Sequence, residues 1–454
     1  MTQPSRFYVL FFFLLTFSPA INRLFAQAQI DVARDNSPLS RLGVGDIYNP
    51  YLAAAGAMGG TATTFHDGFQ LSILNPASSA FLRATAYEVG IYGNRAKLKS
   101  STGETTSNSG SISHFSLGFP LKNQINEVLD RRKKSDWDFG MHLALTPYSV
   151  VGYNIRGKLL LDGVGGVNYI YQGTGGLYKI QWGNSVKYKG FAAGLMVGHI
   201  FGKTAYDRAI TFDSLSASYV TQYKDNTRYN GFIWNVGVMY DHAFMKKGDK
   251  GKMEPNGKHL TFGAYVTPAT SFRTSNYQLI TKRNSSYNAN VTDTISSPAE
   301  KLGIGKLPLE FSVGIAYEKE AKLKLAANYT VTSWSNYTNE QKSETLLNNY
   351  RFAVGGEYIP DAASYNSYGK KLRYRFGGFL GTDPRSIKNQ QFKTQGVTLG
   401  LGLPIILPRQ TLSFVNLGVE FGKLSNDFFS SNYTKLNLAF TLDDNSWFYK
   451  QRFK

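Results

Sequence analysis

The chain contains no cysteine, which removes disulfide staples, thiol catalysis and cysteine-held zinc together. Beyond Phe17 no stretch approaches the roughly 18 apolar residues of a membrane-spanning helix, so helical spans are excluded. Histidine is scarce. The six present are His66, His114, His142, His199, His242 and His259. None forms a His-x-x-x-His pair and no acidic cluster accompanies them, so neither a metal site nor any cofactor is expected. No fixed repeat of blade length is visible either, which argues against a propeller.

What the chain has instead is a two-residue alternation that returns over its whole length, in segments of about ten residues. Phe232, Trp234, Val236, Val238 and Tyr240 interleave with Ile233, Asn235, Gly237, Met239 and Asp241. Leu260, Phe262, Ala264 and Val266 do the same with His259, Thr261, Gly263 and Tyr265. Leu309, Phe311, Val313, Ile315 and Tyr317 alternate with Glu310, Ser312, Gly314, Ala316 and Glu318. Successive strand side chains point to opposite faces, so each segment carries one greasy face and one polar or small face. About ten such residues, tilted, cross a bilayer. The pattern predicts an all-β fold, a transmembrane antiparallel β-barrel. The 45 Gly, 29 Tyr and 31 Phe suit small lumen residues and lipid-facing rings.

At the N-terminus Arg6 precedes an apolar stretch from Phe7 to Phe17, and Ala26-Gln27-Ala28 offers a small-x-small cleavage site. Residues 1–28 therefore read as a signal peptide, and the localisation expected is the outer membrane. The formal charge is +19, and losing Arg6 and Arg23 with the leader leaves +17. The bases are scattered, with clusters at Arg131-Arg132-Lys133-Lys134 and between Lys246 and Lys258. No nucleic-acid partner is expected, because neither cluster sits on a reading helix. Solvated turns beside anionic outer-membrane lipid account for them.

Residues 29–83 lack the alternation and are rich in Gly, Ala, Asn and Pro, as in Ala53 to Gly60 and Asn75-Pro76-Ala77. Small residues permit close packing and tight turns, which fits a compact plug and equally a loop-rich arm. From 84 to 442 the alternation predicts about 14 strands, an even number as single-chain barrels require. They are 84–94, 111–119, 137–147, 168–183, 190–202, 228–243, 258–271, 308–318, 322–335, 349–359, 371–382, 394–404, 411–422 and 433–442. Connections 203–227 and 272–307 are expected as long outer loops. The turns at 319–321 and 405–410 are short, while 120–136 and 244–257 are long and charged. Ile125, Val128 and Leu129 could lie on a short amphipathic helix. Residues 443–454 form a basic periplasmic extension.

In the N-terminal arm, Gly59-Gly60 followed by Asn75-Pro76-Ala77 resembles the hatch of the FadL/TodX family of outer-membrane hydrophobic-compound transporters. Further landmarks fall in the family's order. They are Thr146-Pro147-Tyr148-Ser149, Trp234 to Tyr240, Leu307-Pro308, Tyr329-Thr330 and Thr332-Ser333-Trp334-Ser335. The stretch from Asn36 to Asp46 and a chain continuing to Trp447-Phe448 look like the Bacteroidota version. The resemblance implies a 14-stranded barrel with a lumen hatch at 29–83, gated through Gly59, Gly60, Asn75, Pro76 and Ala77. It also implies passage of long-chain fatty acids or aromatic hydrocarbons. The chain departs from the family by running on past its last strand, with Lys450, Arg452 and Lys454.

The lumen face inferred from alternation carries His259, Glu310, Glu318, Lys322, Lys324, Arg351, Glu357, Arg373, Arg375, Glu420 and Lys435. Bases outnumber acids, which suits a ligand with a carboxylate head, with His259, Arg351, Glu357, Arg373 and Arg375 as ligand-facing candidates. A cross-hairpin charge ladder, Glu318 opposite Lys322 and Glu357 opposite Arg373, accounts for the same residues. His114 with Ser116 and His142 with Asp138 share strand faces, yet no orienting group or oxyanion donor completes a catalytic set, so no enzyme is expected. Gly173-Thr174-Gly175-Gly176 lacks a following helix and Lys-Ser/Thr, and reads as a β-turn. Tyr148, Tyr153, Trp334, Tyr337 and Tyr358 are expected in interfacial girdles.

Two functions compete. The first is transport of a hydrophobic small-molecule ligand, with a greasy pocket between hatch and wall. The second is a non-transporting FadL-like barrel that is a subunit of an outer-membrane secretion or protein-assembly complex. The charged turns and basic extension would serve its complex partners.

Overall fold

The structure, a computed structural model, describes residues 37–101, 103–122, 135–163, 165–213, 219–247, 253–284, 292–320, 322–406 and 412–444. The leader, the segment holding Ile125, Val128 and Leu129, and most of the C-terminal extension lie outside these. The strands are β1 (Asp46–Ile47), β2 (Thr85–Ser100), β3 (Gly103–Pro120), β4 (Trp137–Leu161), β5 (Gly165–Tyr188), β6 (Phe191–Phe212) and β7 (Tyr219–Lys247). They continue with β8 (Met253–Thr267), β9 (Ser271–Asn284), β10 (Thr292–Ser296), β11 (Lys301–Lys306), β12 (Glu310–Lys319), β13 (Leu323–Thr332) and β14 (Thr338–Asn339). The last five are β15 (Asn349–Tyr358), β16 (Arg373–Ile387), β17 (Gln390–Ile406), β18 (Leu412–Ser425) and β19 (Phe429–Asp444).

Neighbouring strands pair antiparallel, and β19 returns to β2 from Phe429 opposite Ser100 to Asp444 opposite Thr85. That ladder closes a barrel of 14 wall strands. The expected strand 258–271 is two pieces, β8 and β9, with Pro268 between them, and Pro308 separates β11 from β12. Proline has no N–H to give a ladder, so both strands break there. Leu307 N bridges the paired breaks by donating to Thr270 O at 2.8 Å.

The alternation sorts the faces as expected. Phe232, Trp234, Val238, Phe262, Phe311, Val313 and Ile315 are exposed outside, while Ile233, Asn235, Met239, Tyr265 and Ser312 are buried inside. Strand ends differ from the expectation. The segments 203–227 and 272–307 are largely strand, in β6, β7, β9, β10 and β11. The wall thus rises well beyond a bilayer, where alternation fades because both faces meet polar surroundings. Gly173 to Gly176 are no turn but lie mid-strand in β5, opposite Tyr153 to Val150. Gly175 takes φ +107°, and a Cβ there would overlap Lys203 O of β6, so only glycine fits.

The girdle expectation is corrected for four of five aromatics. Tyr153, Trp334 and Tyr337 are buried, and Tyr148 packs on the lumen cluster containing Trp334; Tyr358 alone faces out. Trp334 begins a 3-10 turn, Trp334–Asn336, that follows β13 and brings both rings into that cluster.

Residues 37–83 run inside the wall and supply much of its core. Val44 joins Leu177, Met196, Ile233, Phe272 and Leu307. Leu52, Leu71, Ile73 and Leu82 pack on Ala144 of β4. The apolar core of this barrel therefore sits in its lumen, between the inner segment and the wall.

Candidate functional site

Asn75 and Pro76 seat the inner segment. Pro76 opens a 3-10 helix, Pro76–Phe81, and Asn75 caps it by accepting from Ala77 N at 3.1 Å. The Asn75 amide donates to Thr63 O at 2.8 Å and faces Val238 O and Ala264 O of the wall at 3.3 and 3.5 Å. Wall glycines make room: a Cβ at Gly237 would overlap Asn75 Oδ1, and one at Gly194 would press on Pro76. Ala77 packs on Ala192 and Met239. Gly59 and Gly60 take φ +73° and +85° in a tight turn. A side chain on Gly59 would meet Gly378 O and Val354 O, and one on Gly60 the Tyr51 ring. Gly59 N donates to Thr398 Oγ1 at 2.8 Å, and its carbonyl accepts from Arg351 at 3.1 Å.

Most of the charged residues named from sequence are bonded within the protein. Arg373 donates to Asp67 of the inner segment at 2.6 Å and lies 3.6 Å from Glu357. Arg375 donates to Glu357 at 2.7 Å, to Asn416 at 2.6 Å and to Gln70 at 3.0 Å. These arginines join wall to inner segment, and Arg375 does so with a bond from each of its three guanidinium nitrogens. Burial opposes the Asp67 charge, but Arg373 overcomes it and holds the carboxyl down at about 2. His66 is pushed the other way: burial and then nearby Lys324 lower it to about 3, so it stays neutral. His259 pairs with Asp241 at 2.9 Å.

The simple ladder registers are corrected. Glu318 stands opposite Lys324, at 3.6 Å, and Glu357 opposite Arg375. Each turn is two residues longer than assumed, so Lys322 lies beyond the ladder and pairs with Glu320 at 4.0 Å. Neither His pair that shares a strand face in the sequence is a contact in the structure. His114 meets Glu88 and Ser113, both at 3.0 Å, and His142 meets Ser79 at 2.7 Å while Asp138 pairs with Lys187.

Two features were not read from the sequence. The first is a parting in the wall. The β3–β4 ladder holds six pairs, Phe115 opposite Leu145 to Pro120 opposite Gly140, and then stops. Beyond it β3 continues along β2, and β4 along β5, to their hairpin tips. Inner-segment β1 lies on the parted β4 edge, Asp46 opposite Val150 and Ile47 opposite Ser149. Behind this edge is a cavity of about 220 Å³ whose apolar lining includes Ile47, Ile73, Met196, Ile233, Leu307 and Trp334. A second, of about 290 Å³, reaches Ser107, Ser109 and Ser113 on the parted β3 edge. Arg351 and Tyr48 line both.

The second feature is Lys179. It projects into the first cavity, is 9 % exposed, and makes no ion pair or hydrogen bond among the described residues. The expected greasy pocket is thus only partly greasy, with Lys179, Asn235, Glu310 and Arg351 also in its lining. A lysine between Tyr178 and Ile180 on the inward register of β5 was the available signal.

A family model, BamG, matches residues 9–454. No curated protein matches the chain. Among solved structures, the toluene transporter TodX of Pseudomonas putida is similar with TM-score 0.53 and 15% identity, covering 88% of this chain and 99% of that one. The monoaromatic hydrocarbon channel CymD gives 0.52 and 13%, covering 89% and 99%. A FadL homologue of Pseudomonas aeruginosa gives 0.51 and 12%, covering 88% and 100%. At these identities the likeness establishes the fold, and not the ligand.

Proposed function

This chain belongs to the BamG family, and we propose that it is an outer-membrane barrel passing hydrophobic small molecules, long-chain fatty acids or aromatic hydrocarbons, with residues 29–83 as gate. One observation carries this reading: a half-apolar cavity holding the buried Lys179 reaches β4 at Pro147 and Tyr148, just past the last β3–β4 pair at Leu145. An intact ladder would seal such a cavity from lipid, since every wall hydrogen bond would be made. The parting offers a side exit for a molecule that prefers lipid to water. The Lys179 ammonium has no hydrogen-bond partner among the described residues, only the longer-range field of Glu310 in the same cavity, and a ligand carboxylate would supply one.

The test uses the absence of native cysteine. Cysteines placed at Ser111 of β3 and Asn154 of β4 are joined by a bifunctional thiol reagent, and the full chain is reconstituted in liposomes. Uptake of a long-chain carboxylate is expected before joining and lost after it. Equal uptake in both states would rule out passage through the wall.

A second reading is a structural subunit of an outer-membrane assembly. The buried joints of Arg373 and Arg375 favour it, because they hold the inner segment as firmly as a permanent core. Under that reading no uptake occurs in either state, and mild detergent extraction co-isolates other barrel proteins in fixed ratio.

A further inference from the structure

On the outside of the wall, Lys203 of β6 stands directly opposite Arg228 of β7. Both point outward, since their neighbours Thr204, Thr227 and Tyr229 are buried inside. Arg273 of β9 is one row away, opposite Asn230. None of these three bases makes an ion pair among the described residues. Like charges directly opposite across a ladder repel, and no acid of the described residues comes within ion-pair distance of either. The β2–β3 hairpin treats its rim bases differently: Lys97 and Lys99 both reach Glu104, at 2.8 and 3.2 Å.

The depth of the pair is set by the rings beneath it. Exposed Phe201 lies two residues below Lys203 on the same face, and exposed Phe232 four below Arg228. At about 3.3 Å per residue along tilted strands, the two charges sit roughly 5–10 Å above those rings. The headgroup layer is about that thick on each side of the hydrocarbon. Between the bases and β9 is a cavity of about 270 Å³ lined by Lys203, Asn226, Arg228, Ser275, Tyr277 and Glu300. Asn226 can donate into it, whereas Tyr277 is hydrogen-bonded to Ser297 at 3.0 Å and Ser275 to Glu300. Glu300 lines the same cavity and keeps its charge while accepting from Ser275, so an anion is drawn toward the two bases and away from it.

We propose that Lys203 and Arg228, with Asn226, form a binding site on the outer wall for the phosphate of an anionic membrane lipid. The phosphate takes charge-assisted hydrogen bonds from both bases, while its acyl chains lie along the aromatic row below. The site is independent of the lumen, so it stands whether or not the barrel transports.

The test is native mass spectrometry of the full chain in neutral detergent with phosphatidylglycerol, phosphatidylcholine or inorganic phosphate added. The wild-type chain is expected to retain one phosphatidylglycerol, and Lys203→Gln/Arg228→Gln to lose at least tenfold in affinity. Lys97→Gln/Lys99→Gln should bind like wild type. Lys203→Arg, which keeps the charge, should also bind, and heat-modifiable gel mobility checks that each variant is folded. Equal retention by the double variant would overturn the site, as would equal loss in the Lys97/Lys99 variant. Competition by inorganic phosphate at the same concentration would overturn its assignment to a lipid.

Discussion

Arg373 of the wall and Asp67 of the inner segment, 306 positions apart in sequence, share a 2.6 Å hydrogen bond. The bond places the segment's charge among the wall's charges rather than in water. Breaking one partner of a buried pair leaves the other uncompensated. Asp67→Ala is therefore expected to weaken the seating of the inner segment by on the order of 3 kcal/mol. Glu357 remains 3.6 Å from Arg373 and limits the loss. The wall should stay closed, since its own ladders are untouched, and planar-bilayer recordings should show openings that the wild type lacks.

Acid should loosen the same joint in two stages. His66 has its folded value lowered to about 3. A released segment would bind a proton near the ordinary value of about 6.5, so seating weakens as pH falls from there toward 3. Asp67 is depressed to about 2. Its contribution is full above its free value of about 3.8 and is lost as pH falls through 2. Protease accessibility of the inner segment should rise between pH 6.5 and 4 in wild type, and rise less in His66→Gln, which leaves the buried His142–Ser79 joint in place.

Lys179→Met keeps most of the unbranched side chain and removes its charge. Uptake or retention of a long-chain carboxylate should fall by about tenfold, the worth of one charge-assisted bond, while a neutral aromatic hydrocarbon is unaffected. Equal effects on both ligands would show that Lys179 does not read a carboxylate.

Val313 is 38 % exposed on the lipid side, whereas Ser312 is fully buried beside Thr63 Oγ1 at 2.6 Å. Val313→Arg near the midplane should cost about 2–4 kcal/mol of barrel stability, read by urea unfolding in lipid. Ser312→Arg has no empty lumen to enter. It should displace Thr63 and open the barrel to current while sparing the wall.

Gly237→Ala tests the notch around Asn75. The added methyl overlaps Asn75 Oδ1, so the cap on Ala77 N must shift. A loss of roughly 1–3 kcal/mol is expected, with pore current appearing as in Asp67→Ala. Asn75→Ala should act in the same direction.

The sequence by itself determined the wall. A period of two is imposed residue by residue, so Phe232 to Tyr240 could be sorted into faces before any fold was known. Its prolines at 268 and 308 could have marked the broken strands, since a missing N–H is a local property. The joints belong to the tertiary structure alone. Arg375 meets Gln70, and Arg373 meets Asp67, across some 300 residues of chain, and no spacing records such a meeting. The same holds for the parting of β3 from β4, because strand edges carry backbone groups common to every residue. It holds too for Lys179, whose isolation depends on which acids fail to reach it. Periodicity follows from covalent geometry, whereas partnership and its absence depend on how distant segments close around one lumen.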